Sequence, residues 1–162
     1  MYNKKHTATT VILLILFVVY LLVLFRITLF RDTYFRFQIV NLIPFMTIAE
    51  DLQFMLYRKS IMAAAHLLGN LIMFFPLGYL ASVLFPKVRK LTNVMLLSFA
   101  LSLFIETCQY VFACGVADID DVILNTLGGI AGYWIYILTQ NYFSLVNFPT
   151  KTNGVVINVR NT

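Results

Sequence analysis

Four long apolar runs organise the chain, at Thr10–Phe30, Ile61–Phe85, Leu91–Ala113 and Val122–Tyr142. Each reaches the roughly 20 mainly apolar residues that a helix needs to cross a bilayer. Between the first two runs the pattern changes. In "TIAEDLQFMLYRKS", Ile48, Leu52, Met55 and Leu56 recur at helical spacing, with Glu50, Asp51 and Arg58 among the positions between. That periodicity predicts an amphipathic helix over residues 46–58, lying in the membrane interface. Thr47 and Glu50 stand at capping-box spacing at its start. The whole pattern predicts an all-α membrane protein: four transmembrane helices, with an interfacial amphipathic helix between the first and second. Residues 1–148 form one transmembrane domain on this reading, and 149–162 a polar cytoplasmic tail.

Composition strengthens the membrane reading. The chain is 60% hydrophobic and 12% charged, whereas a soluble domain is nearer one-half and one-quarter. The N-terminus opens like a signal peptide at Lys4 and Lys5, but its apolar run is long and "VLFRITLF" offers no small-x-small cleavage pattern. An uncleaved first helix is expected. The net charge of +5 does not point to nucleic acid, because the basic residues gather at the ends of apolar runs. Cys108 and Cys114 lack the spacing of a metal site, and are expected to be buried free thiols.

Four spans place both termini on one side. Lys4, Lys5, Lys87, Arg89, Lys90, Lys151 and Arg160 then share that side, against Arg26, Arg31, Arg36, Arg58 and Lys59 on the other. The short "KVRK" loop and the N-terminal pair carry most weight, and basic flanks favour the cytoplasm. The expectation is cytoplasmic termini and an extracellular acidic turn at 118–121.

Candidate chemistry comes from the polar residues inside the runs. The third and fourth runs form a hairpin turning near Cys114–Ala117. Counting eight residues from either side of that turn puts Glu106 and Asn125 at one depth, roughly 12 Å in. Gln109 and Asp121 form a shallower level. Ser98, Ser102, Glu106 and Gln109 share one helix face, as do Asp118, Asp121, Asn125, Gly129 and Gly132; Asp120 points elsewhere. His66 and Asn70, one turn apart, enter from the same side, and Arg26 lies near that end of the first run. An ionised residue at mid-span costs about 2.5–3.5 kcal/mol on insertion scales, so such residues are candidate functional groups by default.

Each of these also has a structural reading. Asp118 or Asp120 suits a helix N-cap. Glu106 could pair with Arg26 or His66, and Asn70 and Gln109 could bond helix to helix. Gly128 and Gly132 make a GxxxG that favours close packing, and Pro76 interrupts the second run. No Walker loop, HExxH, GxSxG or paired-cysteine site is present. Asp118, Asp120 and Asp121 could hold a divalent cation through oxygen.

In order and spacing, "NLIPF" (41–45), "NLIMFFPLG" (70–78), "ETCQ" (106–109) and "DIDDVILNTLGGIAGY" (118–133) resemble the VanZ-like membrane proteins over about residues 11–138. The resemblance carries Asn41, Pro44, Asn70, Pro76, Gly78, Glu106, Gln109, Asp118, Asp121, Asn125, Gly128 and Gly132 onto the family pattern. This chain reads "CGVAD" where many members place an arginine before the acidic turn. The resemblance implies a four-helix membrane protein of Gram-positive bacteria that confers low-level resistance to teicoplanin and related lipoglycopeptides, with the D-Ala-D-Ala target unchanged.

Three functions follow as expectations. An outward-facing pocket, with Asn41, His66, Asn70, Glu106, Gln109, Asp118, Asp121 and Asn125 as ligand-binding candidates, binds or shields a lipid-linked, phosphate-bearing envelope component or a lipoglycopeptide. Alternatively, a membrane enzyme modifies a polyprenyl-linked precursor or surface polymer, with Glu106, His66 and Asp121 as catalytic candidates and the aspartates as metal ligands. The third is a non-catalytic scaffold whose polar residues only hold the bundle together.

Overall fold

The computed structural model describes residues 4–30 and 39–146. Helix α1 is Lys4–Leu29, strand β1 Ile39–Asn41, helix α2 Met46–Arg58, helix α3 Ile61–Leu84, helix α4 Leu91–Phe112, strand β2 Val116–Asp118 and helix α5 Ile119–Val146. Four of the helices carry segments long and apolar enough to span a bilayer: Ala8–Leu29, Ile61–Leu84, Leu91–Phe112 and Ile119–Gln140. This is an all-α, multi-pass membrane protein, with α2 between the first and second spans as expected. The 149–162 tail, Arg31 and Arg36 lie outside the described residues.

Two helix starts differ from the apolar pattern. Helix α1 begins at Lys4 rather than Thr10, and α5 at Ile119 rather than Val122. The apolar run ends where the charges begin, but the helix does not. Asp120 and Asp121 occupy the first turn of α5, where acids complement the partial positive charge of the helix N-terminus. Asp118 caps that turn, its Oδ1 accepting from the Asp120 backbone N–H at 2.8 Å.

The α3–α5 pair is the spine of the bundle. A Cβ built on Gly78 would lie 1.9 Å from the carbonyl oxygen of Gly129, and one on Gly132 would lie 2.0 Å from that of Phe75. Only glycine lets the two backbones approach so closely. Helix α3 runs unbroken through Pro76, which deprives the Ile72 carbonyl of its helical N–H partner. The Tyr20 hydroxyl, from α1, donates to the adjacent Met73 carbonyl at 2.7 Å. Leu24, Phe74, Leu77 and Ile105 form the apolar core between α1, α3 and α4. At the far end, the "KVRK" loop makes a 3-10 turn over Pro86–Val88. Arg89 Nε there donates to the Ser82 carbonyl at 3.2 Å, covering an orphan acceptor at the C-terminus of α3.

The hairpin between α4 and α5 is not a simple turn. After Ala113, in the left-handed region at φ 48°, the chain extends into β2. This strand pairs in parallel with β1, Ile39 opposite Val116, Val40 opposite Ala117 and Asn41 opposite Asp118. The two strands were not expected; at three residues each they carry no readable alternation. Their effect on depth is large. An extended residue advances about 3.3 Å against 1.5 Å in a helix, so β2 returns quickly alongside the last turns of α4. Glu106 therefore meets the backbone of Asp118, and Asn125 meets Ser102. The expected pairing of Glu106 with Asn125 at one depth is off by about one helical turn.

Candidate functional site

Helix α2 is fastened to the start of α5 by the acidic turn. Asp120, fully buried, accepts from the backbone N–H of Phe45 at 2.6 Å and of Ile48 at 3.1 Å. These are donors at the N-terminus of α2 that have no intrahelical partner. The capping box expected of Thr47 and Glu50 is thus not used. The N-cap position is Phe45, and the capping carboxylate arrives from α5. Thr47 instead donates to Asp118 Oδ2 at 2.5 Å. Asn41 Nδ2 reaches both Asp118 oxygens at 3.3 Å and Thr47 Oγ1 at 2.9 Å. The Asp118 N–H completes the junction, donating to Glu106 Oε2 at 2.9 Å.

One turn along α2, Asp51 continues the contact. Its Oδ2 lies 2.6 Å from His66 Nδ1, and the other ring nitrogen lies 3.4 Å from Asp121 Oδ1. Asn70 Nδ2 donates to that same Asp121 oxygen at 2.5 Å. Asp51, His66, Asp121 and Asn70 thereby form one chain across α2, α3 and α5. The inward face of α2 is Thr47, Ile48, Asp51 and Met55, while Leu52 and Leu56 point outward. The expected apolar stripe is split between the bundle and the surroundings.

Behind this chain lies a cavity of about 440 Å³, lined by residues of all four spans: Ile27 and Thr28 of α1, His66, Gly69, Asn70 and Met73 of α3, Glu106 and Gln109 of α4, and Asp121 and Asn125 of α5 among them. That volume is within the usual range for small-ligand sites. Gln109 Nε2 donates to the Thr28 carbonyl at 3.2 Å, and Asn125 Nδ2 to Ser102 Oγ at 2.8 Å. Their amide oxygens, Gln109 Oε1 and Asn125 Oδ1, are buried with no hydrogen-bond partner. Glu106 also borders an apolar groove of about 200 Å³ on the other side, between Val40, Leu103, Tyr110 and Val122.

The expected site residues therefore divide. His66, Asn70, Glu106, Gln109, Asp121 and Asn125 line the cavity, whereas Asn41 and Asp118 are engaged in the junction beside it. A metal held jointly by Asp118, Asp120 and Asp121 does not fit. The three carboxylates diverge to Thr47, to the α2 amides and to Asn70. Among the described residues no group of three or more His, Cys, Asp or Glu side chains is placed to hold a metal ion. Arg26 does not pair with Glu106: it is exposed, donates to the Phe30 carbonyl and lies 5.8 Å from the Phe30 ring centroid. Cys108 and Cys114 are free thiols, half-buried and buried.

A family model described as VanZ/LLP1 matches residues 17–140, which include every cavity and junction residue named above. The chain belongs to the VanZ-like family. Protein VanZ of Enterococcus faecium is 37% identical over 78 residues, 48% of this chain and 48% of that protein; the match thus spans about half of either. No solved structure matches.

Two residues of the VanZ-like site escape a sequence reading centred on the spans. Asp51 and Thr47 look like the solvated face of an interfacial helix. Their spacing of four, matching that of His66 and Asn70 on the next helix, is the signal that could have placed them inward.

Proposed function

We propose that this protein uses the four-helix cavity to bind or shield a lipid-linked component of the cell envelope, and thereby lowers susceptibility to teicoplanin-type lipoglycopeptides. The observation that carries this reading is a cavity of about 440 Å³ into which three spans bring polar side chains, among them His66, Asn70, Glu106 and Asp121. A bundle held together for its own sake would fill such a space with close-packed apolar side chains. Membership of the VanZ-like family and the partial likeness to Protein VanZ support the resistance part of this reading. The cavity opens on the outer face of the membrane in this reading, with both termini in the cytoplasm, where envelope precursors and drug meet. Glu106, Asp121 and Asn125 contact the ligand, His66 and Asn70 hold Asp121 in place, and Gln109 ties α4 to α1 beside them.

The test is susceptibility to teicoplanin and to vancomycin in a sensitive Gram-positive host producing the wild type, Glu106→Gln or Asp121→Asn at matched membrane levels. The wild type is expected to protect selectively against teicoplanin, and both variants to return to the level of the empty vector. Equal protection by the variants would make the carboxylates structural and end this reading. Loss of protection only together with loss of protein would favour a scaffold.

A further inference from the structure

The cavity wall offers donors and acceptors together. Each of its amides spends one N–H within the protein: Asn70 donates to Asp121, Gln109 to the Thr28 carbonyl and Asn125 to Ser102. A primary amide carries two N–H donors, so each keeps one. On the acceptor side, Asp121 Oδ2 and Glu106 Oε1 take no hydrogen bond from the described residues. Neither is sealed off as the Gln109 and Asn125 amide oxygens are. Met73 and Ile105 add apolar surface to the wall, and among the described residues no Lys or Arg lines it.

Most simple ligand groups fit such a wall badly. A phosphate, negative and all acceptors, would meet two carboxylates with no cation to balance them. An ammonium, all donors, would leave the amide N–H groups unpaired, and an alkyl chain would leave every polar group so. A hydroxyl both donates and accepts, and can bridge a carboxylate oxygen and an amide N–H at once. Asn70 Nδ2 and Asp121 Oδ1 already stand 2.5 Å apart, so neighbouring hydroxyls on one ring reach both residues. We infer that the cavity takes the uncharged, hydroxyl-rich head of a membrane amphiphile, a sugar ring, with Asp121 and Glu106 accepting from its hydroxyls and the spare N–H groups of Asn70, Gln109 and Asn125 donating to them. The apolar C–H face of such a ring packs on Met73 and Ile105. The inference rests on the reading of the cavity as a ligand site and names the chemical class of the ligand; the carboxylates keep a phosphate on the same molecule outside.

Gly69 separates binding in the cavity from binding elsewhere. It lines the cavity, and a Cβ built on it meets nothing within 4 Å, so a larger side chain there enters the cavity rather than the packing. Purified protein in micelles of tetraethylene glycol monooctyl ether, which carries no sugar, is titrated with octyl glucoside, octylamine, octyl phosphate and methyl glucoside. Native mass spectrometry reads the binding. The wild type is expected to bind octyl glucoside at least about tenfold more tightly than any other probe. Gly69→Leu and Asp121→Asn are each expected to weaken octyl glucoside by about tenfold or more, with size-exclusion profiles and melting temperatures confirming the fold. Octylamine or octyl phosphate bound as tightly as octyl glucoside, and displaced by Gly69→Leu, would overturn the hydroxyl assignment and leave the ligand site standing. Methyl glucoside bound as tightly as octyl glucoside would overturn the membrane anchor. Octyl glucoside left unbound would overturn the assignment; octyl probes bound equally by the wild type and Gly69→Leu would overturn the site with it.

Discussion

Asp120 spends both carboxylate oxygens on backbone N–H groups at the start of another helix, 75 and 72 positions away in sequence. That makes it a structural residue within the same short run as Asp121, which faces the cavity. Asp120→Ala removes the acceptor of two N–H groups at the start of α2, as the loss of a helix cap does, and is expected to destabilise the protein by about 0.5–2 kcal/mol. Hydrogen exchange should localise the loss: the Phe45 and Ile48 amides lose protection while those within α3 keep theirs. Unchanged exchange at Ile48 would show that the carboxylate does not fasten α2. Glu106 differs in kind, since its environment leaves a carboxylate under-paired rather than saturated.

At the scale of elements, the contrast between Gly132 and Gly69 separates packing from cavity. Gly132→Ala would drive a methyl to 2.0 Å from the Phe75 carbonyl, forcing α3 and α5 apart, and is expected to reduce the yield of folded protein sharply. Gly69→Ala meets open space and should raise helix stability by up to about 1 kcal/mol. Melting temperatures of the two variants in one detergent check both. The glycine seam and the buried Ser98–Ser102–Glu106–Gln109 face were readable from spacing alone, because helical period and residue size survive in any context. The four spans and α2 were legible for the same reason. The depth of the α4–α5 hairpin was not, since β1 and β2 exist only by pairing across 77 residues, which leaves no local signature. The α2 cap was misread because a nearby Thr47 and Glu50 satisfied a local rule that a distant Asp120 satisfied instead.

For the whole molecule, one end gathers α2, the acidic turn and the cavity, and the other carries the "KVRK" loop. The proposed orientation predicts that this polar end faces outward. With Cys108→Ala and Cys114→Ala removing the native thiols, Tyr57→Cys on exposed α2 should react with a membrane-impermeant maleimide in intact cells. Lys87→Cys, exposed in the loop at the other end, should react only after lysis. The reverse pattern would invert the protein and place the cavity on the cytoplasmic face. The junction at residues 118–121 carries a further consequence. Each helical residue turns the next by about 100°, and the three carboxylates in this run reach two elements, Asp118 and Asp120 meeting α2 and Asp121 meeting α3. Replacing one of them severs one connection, whereas deleting Ile119 would misdirect Asp120 and Asp121 at once, so a change of length here undoes more than any single substitution.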